Sequence, residues 1–240
     1  MENIIDKMFK VGAHFGYSKT KRHPSVKKFI FGAKNRVEIF DLEKTVKSLE
    51  DTKIFVRDLA SSGKQILFVS SKSEAKEAVE IGASSIGAPF VAGRWIGGTL
   101  TNATEIRKRV SKYQKLLNDK DKGLLTKYTK KERLLIDRDI EKLSRKFSGL
   151  TSLEGMPSAL FVVDPKKEEI AVKEAFEKNI PVIALANSDC NIKGIKYPIA
   201  ANDSSRSSIQ FFMDEIVGAY NEGKKNAPKK VVEDKKVISR

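Results

Sequence analysis

Short, almost wholly apolar runs alternate with amphipathic segments along most of the chain. The runs that predict buried strands are 65–69 (QILFV), 89–91 (PFV), 159–163 (ALFVV), 181–185 (PVIAL) and 197–200 (YPIA). Between these runs, apolar residues recur at the three- and four-residue intervals of helices. Strands that are apolar on both faces and alternate with helices are typical of a doubly wound parallel sheet. The pattern therefore predicts an α/β core.

Local signals predict where the helices of this core begin and end. Asp41 is a favourable N-cap, and Gly63 is a favourable stop for the helix that follows it. Residues 71–74 (SKSE) have the Ser-x-x-Glu spacing of a capping box, which predicts a helix from there to about residue 86. A further helix is predicted to stop near residue 179. Asp203 or a neighbouring serine should cap the last helix, which Gly223 should end.

The pattern changes in the middle of the chain, where two long helices are predicted at 102–118 and 129–147 with no strand between them. Their apolar residues recur at intervals of four, three and four: Ile106, Val110, Tyr113 and Leu117, then Ile136, Ile140, Leu143 and Phe147. One apolar stripe on each helix predicts an antiparallel coiled-coil arm with its tip at 118–128. Residues 129–132 (TKKE) predict a capping box for the second helix.

The two ends of the chain are less regular than the core. A short helix is predicted at 3–10, a basic irregular stretch at 12–26, and a hairpin between 29–31 and 37–40. Residues 224–240 are charged and lack aromatic residues, which predicts a disordered tail. The predicted domains are thus a core of residues 1–101 and 149–223, an inserted arm of residues 102–148, and the tail.

The positive charge of the chain limits the kinds of molecule that it is expected to bind. The chain has 46 Lys and Arg against 31 Asp and Glu, a net charge of +15, and a pI of about 9.7. Nucleic acid leads among the polyanions that such a surface attracts. Because there is no long apolar run and no signal-peptide pattern, we expect a soluble cytoplasmic protein that binds no membrane. The single cysteine, Cys190, excludes an internal disulfide and a cysteine-cluster zinc site.

Motifs for catalysis are missing from the sequence. Neither G-x-G-x-x-G, nor G-x-x-x-x-G-K-[ST], nor G-x-S-x-G occurs. Asp164, Asp189 and Asp203 each follow a predicted strand, so two interpretations remain: they hold a cation, together with His14, or they cap turns, which is commoner. We predict a non-enzyme without cofactor or metal, in which His14 is packed and Cys190 is not a nucleophile.

Basic and small polar residues recur in an N-terminal stretch, a hairpin turn, and a central loop that leads into the arm. Lysine and arginine neutralise phosphates, and an aromatic side chain stacks on an unpaired base, although Trp95 has the alternative of being buried. The residues predicted to contact RNA are Lys19, Lys21, Arg22, His23, Lys27, Lys28, Lys34, Arg36, Arg94, Trp95, Thr99, Asn102, Arg107, Lys108, Arg109 and Lys112.

Several motifs occur in the order and spacing of a known family. They are GAHFG (12–16), FGAKNRVEIFDLEKT (31–45), GRWIGGTLTN (93–102), TKKE (129–132), MPSALFVVD (156–164), AVKEA (171–175), IPVIAL (180–185) and ND (202–203). With them, the chain resembles the bacterial-type family of small-subunit ribosomal protein two, along nearly its whole length to about residue 222.

The resemblance implies a flavodoxin-like core with an inserted coiled-coil arm and no catalytic residues. It also implies a place on the small ribosomal subunit, in contact with ribosomal RNA and neighbouring ribosomal proteins, including the large RNA-binding ribosomal protein one. We therefore expect a structural, ribosome-associated protein that is not a homo-oligomer, in a bacterial cytoplasm or an organelle. The alternatives are a free RNA-binding regulator and a nucleotide-using enzyme on the same sheet.

Two loops depart from the pattern of this family. Residues 187–192 read NSDCNI where the family usually has Asp-Thr-Asn-Cys-Asp-Pro, and residues 200–204 read AANDS where it often has Pro-Gly-Asn-Asp-Asp. Both departures remove carboxylates from strand ends. They weaken the case for a metal site there.

Overall fold

A computed structural model describes residues 3–226 of the chain. The strands are β1 Phe15–Ser18, β2 Ile30–Lys34, β3 Val37–Phe40, β4 Ile66–Val69, β5 Phe90–Val91, β6 Ala159–Val163, β7 Val182–Ala186 and β8 Tyr197–Ala200. The α-helices are α1 Ile4–Lys10, α2 Leu42–Ser61, α3 Ser73–Ser85, α4 Ala103–Asp121, α5 Lys130–Phe147, α6 Glu169–Glu177 and α7 Arg206–Lys225. None of these helices is long and apolar enough to cross a membrane.

Five parallel strands form the central sheet in the order β5-β4-β6-β7-β8. This is the strand order of flavodoxin-like sheets. The strands β4, β6 and β7 are buried along their whole length, as expected for a parallel sheet with helices on both faces. The predicted α/β sheet is confirmed.

Alternate residues of each strand pack into two separate hydrophobic clusters. Ile66 and Phe68 of β4 belong to a cluster that contains the apolar faces of α2, α3 and α7. Leu67 and Val69 belong to the cluster on the other face, which contains residues of α6, the loop before α4 and the bases of α4 and α5. The inserted helices therefore leave the core from the second face.

The small second sheet has one strand more than the sequence pattern predicts. The predicted hairpin forms from β2 and β3, and its two-residue turn has left-handed backbone angles at Asn35 (φ 51°) and Arg36 (φ 65°). The stretch predicted to be irregular contains β1, which pairs antiparallel with β3 to give the order β1-β3-β2. This strand depends on partners 19 to 24 residues away, so its local pattern does not reveal it.

Helix ends set by local chemistry match the prediction, whereas those set by tertiary contacts do not. Thr129 and Glu132 form the predicted capping box of α5. The box predicted at residues 71–74 is wrong: α3 begins at Ser73, and the Ser71 backbone N–H donates to Glu168 Oε1 at 2.6 Å. The last helix begins after Ser205, whose side chain makes no cap hydrogen bond.

The prediction that Gly223 ends the last helix is wrong, because this glycine lies inside the helix. The helix α7 continues to Lys225, and a Cβ atom at Gly223 would collide with the backbone oxygen of Arg57 on α2. The glycine thus permits close packing of two helices. Gly63, by contrast, has φ 67° just after α2 and stops that helix as predicted. The predicted tail begins too early, because Lys224 and Lys225 belong to α7; its remainder from residue 227 onward lies outside the described residues.

The helices α4 and α5 lie side by side and antiparallel. At their base, Ile106 and Phe147 are buried in the second cluster of the core. Farther out, Lys120 of α4 pairs with Asp137 of α5 at 2.7 Å, and both Tyr113 and Ile140 are buried. Leucines near the tip are exposed, namely Leu124, Leu134 and Leu135. Coiled-coil packing along the whole arm stays a prediction.

Candidate nucleic-acid interface

One carboxylate holds the loop of residues 93–102 against the core. Glu174 of α6 is only 6% exposed. Its oxygens accept hydrogen bonds from Trp95 Nε1 (3.0 Å), the backbone N–H groups of Gly98 (2.8 Å), Leu100 (2.9 Å) and Thr101 (3.1 Å), and Thr101 Oγ1 (3.2 Å). Burial by itself raises the pKa of Glu174, but these hydrogen bonds outweigh burial and hold the pKa below its usual value.

Trp95 and Thr99 are placed inside the protein, not on its surface. Trp95 is 6% exposed and packs in the second cluster, so its ring has no free face on which a base stacks. The Thr99 hydroxyl donates to the Ile96 carbonyl at 2.6 Å. The alternative prediction for Trp95, burial, is the one that the structure supports, and Glu174 is its partner. Sequence reasoning passed over Glu174 within the AVKEA motif, where its charge was the one available signal.

The cations that follow this loop are exposed on α4. Arg107, Arg109 and Lys112 point to solvent and have no ion pair among the described residues. Lys108 is also exposed and pairs with Glu105 at 2.6 Å. Two further predicted residues of the loop, Arg94 and Asn102, are exposed as well.

Most of the predicted N-terminal cations are exposed too: Lys19, Lys21, Lys27, Lys28, Lys34 and Arg36. Lys21 and Lys28 lie over the rings of Tyr17 and Phe29, at 5.8 Å and 5.0 Å. Two apolar residues of the same segment, Val26 and Phe29, pack in the same cluster as Trp95. The N-terminal basic segment and the base of the arm therefore lie on the same face of the parallel sheet.

Arg22 and His23 make contacts within the protein. Arg22 Nη1 donates to Glu38 Oε1 at 2.9 Å, and the Glu38 side chain is fully buried. The Nδ1 atom of His23 accepts from the Ser25 backbone N–H at 3.2 Å and lies 2.7 Å from the Ser25 hydroxyl. These two residues hold the N-terminal segment in place, and we leave them out of the interface.

We expect Arg22→Ala to lower the free energy of unfolding by about 2–3 kcal/mol, because it leaves the buried Glu38 carboxylate unpaired; the partial exposure of Arg22 reduces the full cost of such a break. The neighbouring Lys21→Ala is a matched control, which should stay within about 0.5 kcal/mol of the wild type. Urea denaturation of both variants measures the difference. Equal stabilities would show that the Arg22–Glu38 pair contributes nothing to the fold.

A buried lysine, which sequence reasoning missed, lies at the carboxyl ends of two neighbouring strands. Lys72 follows β4, Asp164 follows β6, and Asp203 lies beyond β8. The Lys72 Nζ atom is 2.8 Å from a carboxylate oxygen of each aspartate. Burial alone lowers the pKa of Lys72, but the two carboxylates outweigh it and raise the pKa above its usual value. This is the switch point where flavodoxin-like sheets bind ligands, and here it holds an ion-paired side chain.

No single site brings together the four candidate ligands of a cation, which are Asp164, Asp189, Asp203 and His14. Asp189 pairs with Lys166 at 2.7 Å. His14 lies between the rings of Phe9 and Phe15, with centroids 4.4 Å and 4.0 Å away, and burial lowers its pKa. The packed interpretation of His14 therefore agrees with the structure.

Asp164, Asp203 and Cys190 do approach one another, each with one ligand-type atom within 4.8 Å of the others. The ammonium of Lys72 already pairs with both carboxylates of this cluster, so a metal ion would have to displace it. Burial raises the pKa of the Cys190 thiol, and the nearby carboxylates raise it further. Asn187 Nδ2 donates to Asp203 Oδ1 at 2.8 Å. An aspartate at position 187 would instead repel Asp203.

Comparison with known proteins identifies the family of the chain. The model of the family "Ribosomal protein S2" matches residues 8–223. The small ribosomal subunit protein uS2 of Karelsulcia muelleri (strain GWSS) is 39% identical over 215 residues, which are 90% of this chain and 97% of that protein. The protein of the same name from Dictyoglomus thermophilum is 39% identical over 221 residues, 92% of this chain and 90% of that protein. With a family match across the core and arm, and relatives aligned over nearly their full length, the chain belongs to the ribosomal protein S2 family.

Proposed function

We propose that this protein is a structural component of the small ribosomal subunit and binds ribosomal RNA through its exposed cations. Family membership carries the proposal. The geometry supports it, because cations of the N-terminal segment and of α4 lie on one face of the sheet, and several have no acidic partner among the described residues. Such groups neutralise backbone phosphates and release counterions.

The core and the arm have different roles in this proposal. The α/β core supplies a rigid body, and the paired helices α4 and α5 extend from it as an arm. The 18 residues of α5 span about 27 Å at 1.5 Å per residue. We propose that the two helices pack as a coiled coil and carry basic side chains to RNA beyond the reach of the core. The excess of 15 Lys and Arg over 7 Asp and Glu in residues 105–148 supports this role.

The proposed partners are the small-subunit RNA and neighbouring ribosomal proteins, among them the large RNA-binding ribosomal protein one that the sequence resemblance implies. We propose one copy per particle and no homo-oligomer, with the protein in the cytoplasm on ribosomes. No chemical step is assigned to it. At the switch point of the sheet, the place for a reacting ligand is taken by the ion pairs of Lys72.

Sucrose-gradient sedimentation of a lysate, with immunodetection of this chain at low and high salt, tests the proposal. We expect comigration with the small subunit at low salt and partial release at high salt, because phosphate contacts weaken as salt rises. A position at the top of the gradient in both conditions would contradict the proposal and favour a free regulator or enzyme. Ribosomal RNA and a second small-subunit protein mark the particle in the same fractions.

A further inference from the structure

A cleft opens between the bases of the two arm helices. It has a volume of about 490 Å³, and its walls come from the loop before α4, the first turns of α4 and the last turns of α5. Ile106 and Phe147 form a buried apolar floor, with the partly buried Leu143 beside them. We call this the arm-root cleft. It is within the size range of sites that hold small ligands, about 300–1,000 Å³.

The charged residues that line the arm-root cleft are mostly cations. Arg109 comes from α4, and Lys142 and Lys146 come from α5, against a single acid, Glu105. Glu105 is neutralised by Lys108, which lies outside the lining. Lys142 has only a distant exposed partner, Asp139 at 3.8 Å.

Arg109 and Lys146 have no ion pair or hydrogen bond to another side chain among the described residues. Two helices that meet at their bases have thus brought unpaired cations together over an apolar floor. A cleft with charge of one sign and a floor of low dielectric constant concentrates the electric field and attracts an ion of opposite sign.

We propose that the arm-root cleft binds backbone phosphates of the small-subunit RNA; this inference rests on the proposed function. Phosphate suits the cleft because Arg109 presents a planar fork of donors and the lysines present point charges. An RNA strand fits better than an acidic protein segment, because the basic surface continues past the cleft along α4 to the exposed Lys112, one helical turn beyond Arg109. A polyanion that lies along the base of the arm engages the cleft and this surface together.

The first test removes the two unpaired cations with the double variant Arg109→Gln, Lys146→Gln. The control is Lys47→Gln, Lys64→Gln, which removes the same charge from exposed lysines on α2 and in the turn after it. Rebinding to small subunits stripped of this protein by high salt is measured across a salt series. We expect affinity to fall roughly tenfold or more for the cleft variant at about 0.1 M salt, with a salt dependence shallower by one to two phosphate contacts.

The control variant should rebind as the wild type does, and circular dichroism should show both variants folded. If the cleft variant and the control rebind equally well, the arm-root cleft binds no phosphate and the inference is wrong, while the proposed function stands. If the wild-type chain itself fails to rebind, the proposed function fails and the inference with it.

A second test separates RNA from an acidic protein segment. The variant Lys142→Cys carries a tethered iron chelate that cleaves nearby RNA strands, and Lys47→Cys carries the same probe as control. Cys190 is fully buried and stays unlabelled. We expect cleavage of one RNA segment from position 142 and none from position 47. Loss of affinity in the double variant without cleavage from position 142 would overturn the inference in favour of an acidic protein partner.

Discussion

Replacement of Lys72 with methionine should lower the free energy of unfolding by about 3–5 kcal/mol, the cost of removing one member of a buried ion pair. Methionine preserves much of the packing, so the loss comes from charge. Asp164 and Asp203 would then face each other without the ammonium that now lies 2.8 Å from both. Denaturant unfolding at pH 7 measures the effect.

The matched control for this change is Lys166→Met. Lys166 also binds an aspartate at 2.7 Å, but its side chain is 59% exposed, so its removal should cost less than about 1 kcal/mol. If the two variants lose the same stability, burial of the Lys72 ion pairs has no energetic consequence and the interpretation fails.

The deficit of Lys72→Met should depend on pH. Burial, reinforced by Asp164, already raises the pKa of Asp203 against the opposing effect of Lys72, and loss of the lysine removes that opposition. A carboxyl group with a raised folded pKa binds a proton more readily in the folded state than in the unfolded one. Stability therefore increases as the pH falls. The variant should be weakest at neutral pH and recover part of its deficit toward pH 5. A deficit independent of pH would point to packing instead of charge.

Glu174→Gln is expected to cost about 3–5 kcal/mol, because hydrogen bonds to a charged acceptor contribute about 1.5–3 kcal/mol each and an unsatisfied buried donor costs about 1–3 kcal/mol. Glutamine has one acceptor oxygen where Glu174 has two. Its amide nitrogen would meet either Trp95 Nε1 or the Leu100 N–H, both of which are buried donors. Trp95 fluorescence reports the loop, and denaturant unfolding reports the stability.

The exposed Glu169 of the same helix is the control, and Glu169→Gln should change stability by no more than about 0.5 kcal/mol. The gap to the wild type again narrows in acid, but for a different reason: the wild type loses stability here, whereas the Lys72→Met variant gains it. Because the folded pKa of Glu174 is lowered, its stabilising contribution is present above the unfolded value of about 4.3 and is lost as the pH falls through the folded pKa. The gap between wild type and Glu174→Gln should therefore close in acid; a constant gap would contradict the charged role.

The contact with Glu174 also bears on the interface. The loop of residues 93–102 leads directly into α4, so release of Trp95 would change the start of the helix that carries Arg107 and Arg109. We expect Glu174→Gln to weaken binding to small subunits although it removes no cation. This is the behaviour of a positioning residue.

Strands, helix ends and exposed charges that depend on local sequence could be predicted. The runs ALFVV and PVIAL became β6 and β7 because a strand without a polar face is stable only between two layers. The capping box at Thr129 and Glu132 was also predictable, since both hydrogen bonds lie within four residues. The exposure of the cations of α4 was predictable too, because a charged side chain is rarely buried without a partner.

Residues whose partner lies far along the chain could not be predicted in this way. The sequence makes Trp95 a candidate for stacking on RNA bases. In the fold, its ring nitrogen instead donates a hydrogen bond to Glu174, 79 positions away. Gly223 resembles a helix stop in the sequence, and only the approach of α2 shows that it is an interior contact. Lys72, Asp164 and Asp203 are ordinary charges in the sequence and one ion-paired cluster in the fold.

The sequence by itself determined the class of fold, the inserted helices, the positive charge, and the motifs that identify the family. These depend on periodicity, composition and short-range hydrogen bonds, which are local properties. The tertiary structure decided which polar groups are internal and which face a partner: Arg22, Trp95 and Thr99 turn inward, while Arg109 and Lys146 meet at the arm-root cleft. That choice depends on the order of strands and the crossing of helices, which bring together side chains that no local pattern connects.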